Sequence, residues 1–170
     1  MTVEFEASER KQLPLWDYGW LDATRYALRG KQPPEPPAEI LRVLLRSRVY
    51  RNSFAEWESF KRDPGPIHGP FWVDRIEVSD YETISFDALC DDVRRRLSDP
   101  SFSSPPSDGQ RESVETLLAR IRKTAMHCFR LKLDRADESH RHDTWFVHVT
   151  FYEYVVFEHQ ALWLLVMGYD

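Results

Sequence analysis

Glycine is scarce in this chain, with six in 170 residues. That leaves little material for loops that cradle phosphates. No Gly-x-Gly-x-x-Gly, Walker-type phosphate loop, Gly-x-Ser-x-Gly elbow, His-Glu-x-x-His, Cys-x-x-Cys or calcium-loop pattern occurs. A standard nucleotide-hydrolysing or dinucleotide enzyme is therefore not expected, and no cofactor is. Cysteine is rarer still. Cys90 and Cys128 are the only two, too few for a disulfide framework, and reduced thiols in a cytoplasmic protein are the expectation. Long apolar runs are missing as well. The longest, 161–167, falls well short of the ~20 residues that span a bilayer, so no membrane association is expected. The first twelve residues carry Glu4, Glu6 and Glu9 and no apolar stretch, unlike a secretory signal.

Aromatic residues, by contrast, are plentiful. Ten Phe, seven Tyr and six Trp could not stay solvated together, which excludes a disordered chain. The length suits a single domain. Three breaks, at 31–37, 63–70 and 100–109, are rich in Pro, Gly or Ser and read as loops between elements of one unit.

Periodicity assigns the segments between the breaks. Residues 2–7 alternate weakly, as a strand does. Residues 18–29 read as a short helix, with Trp20, Ala23, Ala27 and Leu28 near helical spacing and Gly30 placed to end it. Residues 38–51 place Ile40, Leu41, Leu44 and Leu45 on one side after prolines that suit a helix start. Ser53 and Glu56 match a capping box for a turn of helix carrying Phe54, Trp57 and Phe60. Residues 71–79 read as a strand. Ser85 is a candidate N-cap for a helix along Phe86, Leu89, Cys90, Val93 and Leu97, and a second helix follows along Val114, Leu117, Leu118, Ile121 and Ala125. From Cys128 the period becomes two, predicting strands over 129–135, 145–157 and 161–169, the last two joined by a tight hairpin. The expected fold is α+β: an antiparallel sheet with a C-terminal meander, packed against four or five helices in one domain.

The strand 145–157 carries the sharpest oddity. Its odd face is apolar at every position except Glu153. A carboxylate there is paired with an Arg, chemically useful, or turned outward by a bulge. Thirteen residues exceed the usual strand length, and Glu153 marks the place for such a bend. The even face offers His148, Thr150, Tyr152 and Tyr154 as a candidate ligand-binding row, with His148 and Glu153 as candidate acid–base groups. Half-buried strand faces also carry Tyr and Thr without any further role.

His140, His142 and Asp143 form the one dense potential metal cluster, although a loop histidine pair is more often merely solvated. Between Asp74 and Asp92 the chain holds seven acids and one base. Asp74, Asp80, Glu82 and Asp87 are candidate contacts for a protein partner with a basic surface, while acids early and bases late in each helix also complement the helix dipole. Eighteen of the 23 basic residues are Arg, but the net charge of −5 and the lack of a basic stripe among aromatics argue against nucleic acid. Strand 161–169, apolar on both faces, raises a homodimer as one way of covering it. The leading functional expectation is a non-enzymatic protein-binding domain of inhibitor, adaptor or immunity type. The alternative is a small-ligand protein or small enzyme with its pocket on the amphipathic face of 145–157.

Overall fold

The computed structural model describes residues 3–15, 18–30, 37–55, 65–101, 104–143 and 147–169. Strands β1 (Glu4–Pro14) and β2 (Gly19–Arg29) form an antiparallel pair at the start of the chain. Helix α1 (Pro37–Arg46) follows, then a short turn of helix at Arg48–Tyr50 and a two-residue ribbon, β3 (Ile67–His68) and β4 (Phe71–Trp72). Two more single turns, Val73–Arg75 and Val78–Asp80, lead into β5 (Tyr81–Ile84). Helices α2 (Phe86–Leu97) and α3 (Asp108–Arg122) come next, then β6 (His127–Leu131), β7 (Thr150–Phe157) and β8 (Ala161–Tyr169). Six strands form one sheet in the order β1-β2-β8-β7-β6-β5, with every pairing antiparallel. No helix among the described residues is long and apolar enough to cross a membrane.

The α+β class with an antiparallel sheet stands, but the expected four or five helices do not. Three α-helices occur among the described residues. One reason is that 18–29 forms β2, a strand between β1 and β8 and not a helix. A strand buried on both faces loses its polar alternation, so its apolar residues imitate helical spacing by chance. Leu21 and Ala23 enter one core while Trp20 and Tyr26 enter the other. The helix expected to carry Trp57 and Phe60 lies outside the described residues. The strand expected over 71–79 shrinks to Phe71–Trp72 before the chain coils. The strand expected over 145–157 starts only at Thr150, and its register with β8 runs unbroken through Glu153↔Val166. There is no bulge at Glu153.

The sheet separates two cores. On one face Leu89, Val93, Leu97, Val114, Leu117 and Ile121 of α2 and α3 pack onto Tyr154, Val156, Trp163 and Leu165. Both helices have the caps their sequences call for: the Ser85 side chain accepts from the Ala88 N–H, and Ser107 and Gln110 form a reciprocal capping box. On the other face α1 and the irregular segment up to Asp80 cover Phe151, Val155, Phe157, Leu162, Leu164 and Val166. Both faces of β8 are thus covered within the chain.

A register shift between Ala7 and Glu9 gives β1 an extra residue and reverses which side chains face which way. Phe5 therefore packs on the α1 side while Leu13 packs on the α2–α3 side. The tight turn of the β3–β4 ribbon needs Gly69, whose φ is +51° and where a Cβ would collide with the Phe151 ring.

Candidate functional site

The irregular cover and the sheet meet at Glu153. Its odd position in β7 aims it into the α1-side core, where it is 1% exposed. Three segments bring partners. The turn after α1 supplies Tyr50, β3 supplies His68 and the start of β5 supplies Tyr81. Tyr81 donates to Glu153 Oε1, and the Tyr50 hydroxyl lies 3.2 Å from the same oxygen and 2.7 Å from the Tyr81 hydroxyl. His68 Nε2 meets Glu153 Oε2, and His68 Nδ1 meets the Tyr50 carbonyl. The imidazole also stacks on the Tyr50 ring, with centroids 3.7 Å apart.

The chemistry of these atoms fixes much of the proton arrangement. A carbonyl oxygen only accepts, so His68 Nδ1 carries a hydrogen. A buried carboxyl group needs polar partners, and the His68 ring and the two tyrosine hydroxyls are those of Glu153. Burial, and after it the Glu153 charge, pushes both tyrosine hydroxyls well above the ordinary tyrosine value, so they remain donors. His68 and Tyr50 are fully buried, and the rings of Phe54, Phe71 and Phe151 pack around the group. The arrangement is a closed hydrogen-bonded ring whose four side chains are buried.

The other sequence-selected positions scatter. His148 precedes β7, is buried against Trp20 and Phe151, and directs Nε2 to the Ser53 carbonyl at 2.7 Å. Tyr154 lies under α2 and donates to Asp92 Oδ2 at 2.6 Å. Tyr152 lies on the same face, beneath the Arg96 guanidinium at 3.8 Å from the ring centroid, and Thr150 pairs with Tyr169 at the end of that face. His140 lies 3.6 Å from Asp80, whereas His142 packs on the Trp72 ring, where burial lowers its pKa. These two loop histidines face different neighbours, and among the described residues no three His, Cys, Asp or Glu side chains converge as a metal would need. Cys90 and Cys128 are buried, and burial pushes the Cys128 thiol up to about 11.

Most of the acidic run is paired within the chain at its surface. Glu82 holds Arg130 at 2.7 Å, Asp87 holds Arg122 at 2.7 Å, and Asp80 accepts from the Glu77 N–H. Asp74 stands exposed. Asp92 is the buried member. Burial alone would raise its pKa, but hydrogen bonds from Tyr154 and Arg95, the charge of Arg96 and a hydrogen bond from Arg130 outweigh that and hold it below the ordinary aspartate value.

Beyond Asp92 the end of α2 opens into a solvent-facing cleft of about 450 Å³, lined by Arg95, Arg96, Ser98, Asp99 and Pro100. Sequence reasoning singles out Glu153 and Tyr152 but misses their partners. His68 sits in a Pro/Gly loop, and nothing local ties it to a residue 85 positions away. The one available signal is that a buried Glu demands a partner, and an Arg is expected where a His and two Tyr stand. Compared with known proteins, the chain matches no family model, no curated protein and no solved structure.

Proposed function

We propose that this chain is a non-enzymatic protein-recognition module, of inhibitor, adaptor or immunity type, that docks through the end of the sheet where β7 begins and β8 ends. One observation carries the reading: Glu153, His68 and His148 are engaged within the fold, whereas tyrosines and arginines stand at this surface. Tyr18 is 65% exposed and meets Tyr169 edge-on at 6.2 Å, and Val149 beside it is 43% exposed. Tyr169 pairs with both Gly19 and Thr150 across the neighbouring strands, and the Arg96–Tyr152 stack continues the patch toward α2. Tyrosine and arginine are, with tryptophan, the residue types enriched where recognition energy concentrates, tyrosine because it buries a rigid ring at low entropic cost and arginine because its planar fork makes several hydrogen bonds.

Other surfaces fit less well. The outer edge of β1 carries a bulge and the charged Glu4, Glu6, Arg10 and Lys11, devices that discourage strand addition. Asp80, Glu82 and Asp87 have partners in the chain, which weakens their appeal to a basic protein.

Affinity capture from the source cells, followed by purification of the captured protein and calorimetric titration, tests the proposal. The parent, a Tyr18→Ser/Tyr169→Ser variant and an Asp74→Lys/Asp80→Lys/Asp87→Lys variant are compared, with circular dichroism to confirm folding. The tyrosine variant is expected to bind at least roughly tenfold more weakly and the charge-reversed variant like the parent. A tyrosine variant that binds as tightly as the parent overturns the assignment of the surface.

A further inference from the structure

Resting on that reading, we infer that the cleft at the end of α2 receives a carboxylate side chain from an acidic segment of the partner protein. Two guanidiniums line it, and the structure uses them unequally. Arg95 bonds Asp92 Oδ1 while its side chain remains 68% exposed. Arg130 bonds Asp92 Oδ2 at 3.2 Å and Tyr154 bonds the same oxygen at 2.6 Å, so three donors already hold Asp92. Arg96 comes last. It approaches Asp92 no closer than 3.6 Å, beyond hydrogen-bonding distance, and its buried Nε–H has no hydrogen-bond partner among the described residues.

Arg96 is nevertheless held still. Its guanidinium lies over Tyr152 at 3.8 Å, a cation–π contact that fixes the plane of the fork without consuming its in-plane donors. A pre-oriented guanidinium with spare donors suits a carboxylate, which accepts two parallel N–H bonds. Charge decides between a carboxylate and a phosphate group. Counted with the charged groups bonded to them, the lining residues hold Arg95, Arg96, Arg111 and Arg130 against Asp92, Asp99 and Glu82, and Asp99 is itself turned to Ser101 by bonds of 2.9 and 2.7 Å. A surplus of one positive charge matches a monoanion and is poor for a dianion. Nor does the helix end favour phosphate, since α2 presents its C-terminal, partly negative end there. Two of its last carbonyls accept from Ser98 and Asp99 N–H groups. The cleft borders the tyrosine surface through Tyr152, so one acidic segment can fill the cleft while its flanks lie on the aromatic patch.

The probe is a fluorescein-labelled hexaglutamate peptide read by anisotropy at low ionic strength, with labelled hexalysine and free glutarate as comparison ligands. The proteins are the parent, Arg95→Gln, Arg96→Gln, and an Arg42→Gln/Arg46→Gln variant on α1, all checked by circular dichroism. Arg95→Gln removes an exposed group and keeps the test valid should Arg96→Gln misfold. Losing one charge-assisted bond lowers affinity by about tenfold, so each cleft variant is expected to show that drop while the α1 variant binds hexaglutamate like the parent. Three results overturn the inference: no hexaglutamate binding at millimolar concentration, equal weakening by the α1 variant, or glutarate binding as tightly as the peptide. A complex in the capture experiment together with silent hexaglutamate refutes only the acidic chemistry. Hexaglutamate binding together with a tyrosine variant that captures its partner normally refutes only the recognition surface.

Discussion

Replacing Glu153 by Leu probes the buried ring without opening a large cavity, because the two side chains have similar volumes. Three polar groups face the carboxyl group: the hydroxyls of Tyr50 and Tyr81 and the His68 ring. After the substitution the two hydroxyls still bond each other at 2.7 Å, so one hydroxyl hydrogen and the His68 Nε2 lose their partners. Each orphaned buried group costs about 1–3 kcal/mol, so the loss is about 4 kcal/mol. For a chain of this size each kcal/mol lowers Tm by roughly 2–4 °C, which gives a drop of about 8–16 °C. Glu153→Gln behaves differently. Its carbonyl accepts from Tyr81 and its amide N–H donates to His68 Nε2, so the ring closes again at a cost of about 1 kcal/mol. Urea melts at neutral pH measure both variants. The decisive control is Tyr81→Phe, expected to cost about 1–2 kcal/mol in the parent and close to nothing once Glu153→Leu is already in place. Additive losses, or a Glu153→Leu variant within about 1 kcal/mol of the parent, refute the ring as a cooperative unit.

Other consequences can be tested separately. The carboxyl pKa of Asp92 is depressed in the fold, so its stabilisation is complete above the ordinary aspartate value of 3.8 and fades as pH falls below it; Asp92→Asn should flatten the acid limb of a stability–pH curve taken from about pH 6 to about pH 2. Gly69→Ala forces a Cβ into the Phe151 ring at a positive φ, and a loss of about 2–3 kcal/mol is expected in urea titrations. Ser107→Ala removes the cap of α3, which should lower stability by about 1 kcal/mol, while Ser107→Asp should leave it within a few tenths.

What is legible in the sequence follows local physics. Ser85 and the periodicity along Leu89, Val93 and Leu97 specify α2 because an N-cap and an apolar stripe are encoded within one helix length. The Ala161–Tyr169 strand is likewise legible, down to its bounds, because a nearly unbroken apolar run after a short break admits few alternatives. β2 misleads for a long-range reason. Asp22 and Thr24 lie buried in it, as a surface helix would not require, because Arg10 and Gln12 from β1 satisfy Asp22. No window centred on 18–29 contains those partners. β1 is underestimated for another reason: its bulge reverses the alternation midway, so that Phe5 marks one side and Leu13 the other.

The placement of the candidate site follows from the unequal covers of the two sheet faces. Helices α2 and α3 satisfy their own backbone groups and can press onto the sheet through side chains alone. The opposite cover is largely irregular, and irregular chain brings carbonyls that must find donors when buried. Two of these, from Tyr50 and Ser53, are met by the two buried histidines, His68 and His148. Each histidine thereby commits a ring N–H to the backbone, the opposite of what a general base requires at that nitrogen. His68 then reaches a carboxyl group through its second nitrogen. The imidazoles and Glu153 fasten a coiled segment to a sheet, and that role accounts for their burial.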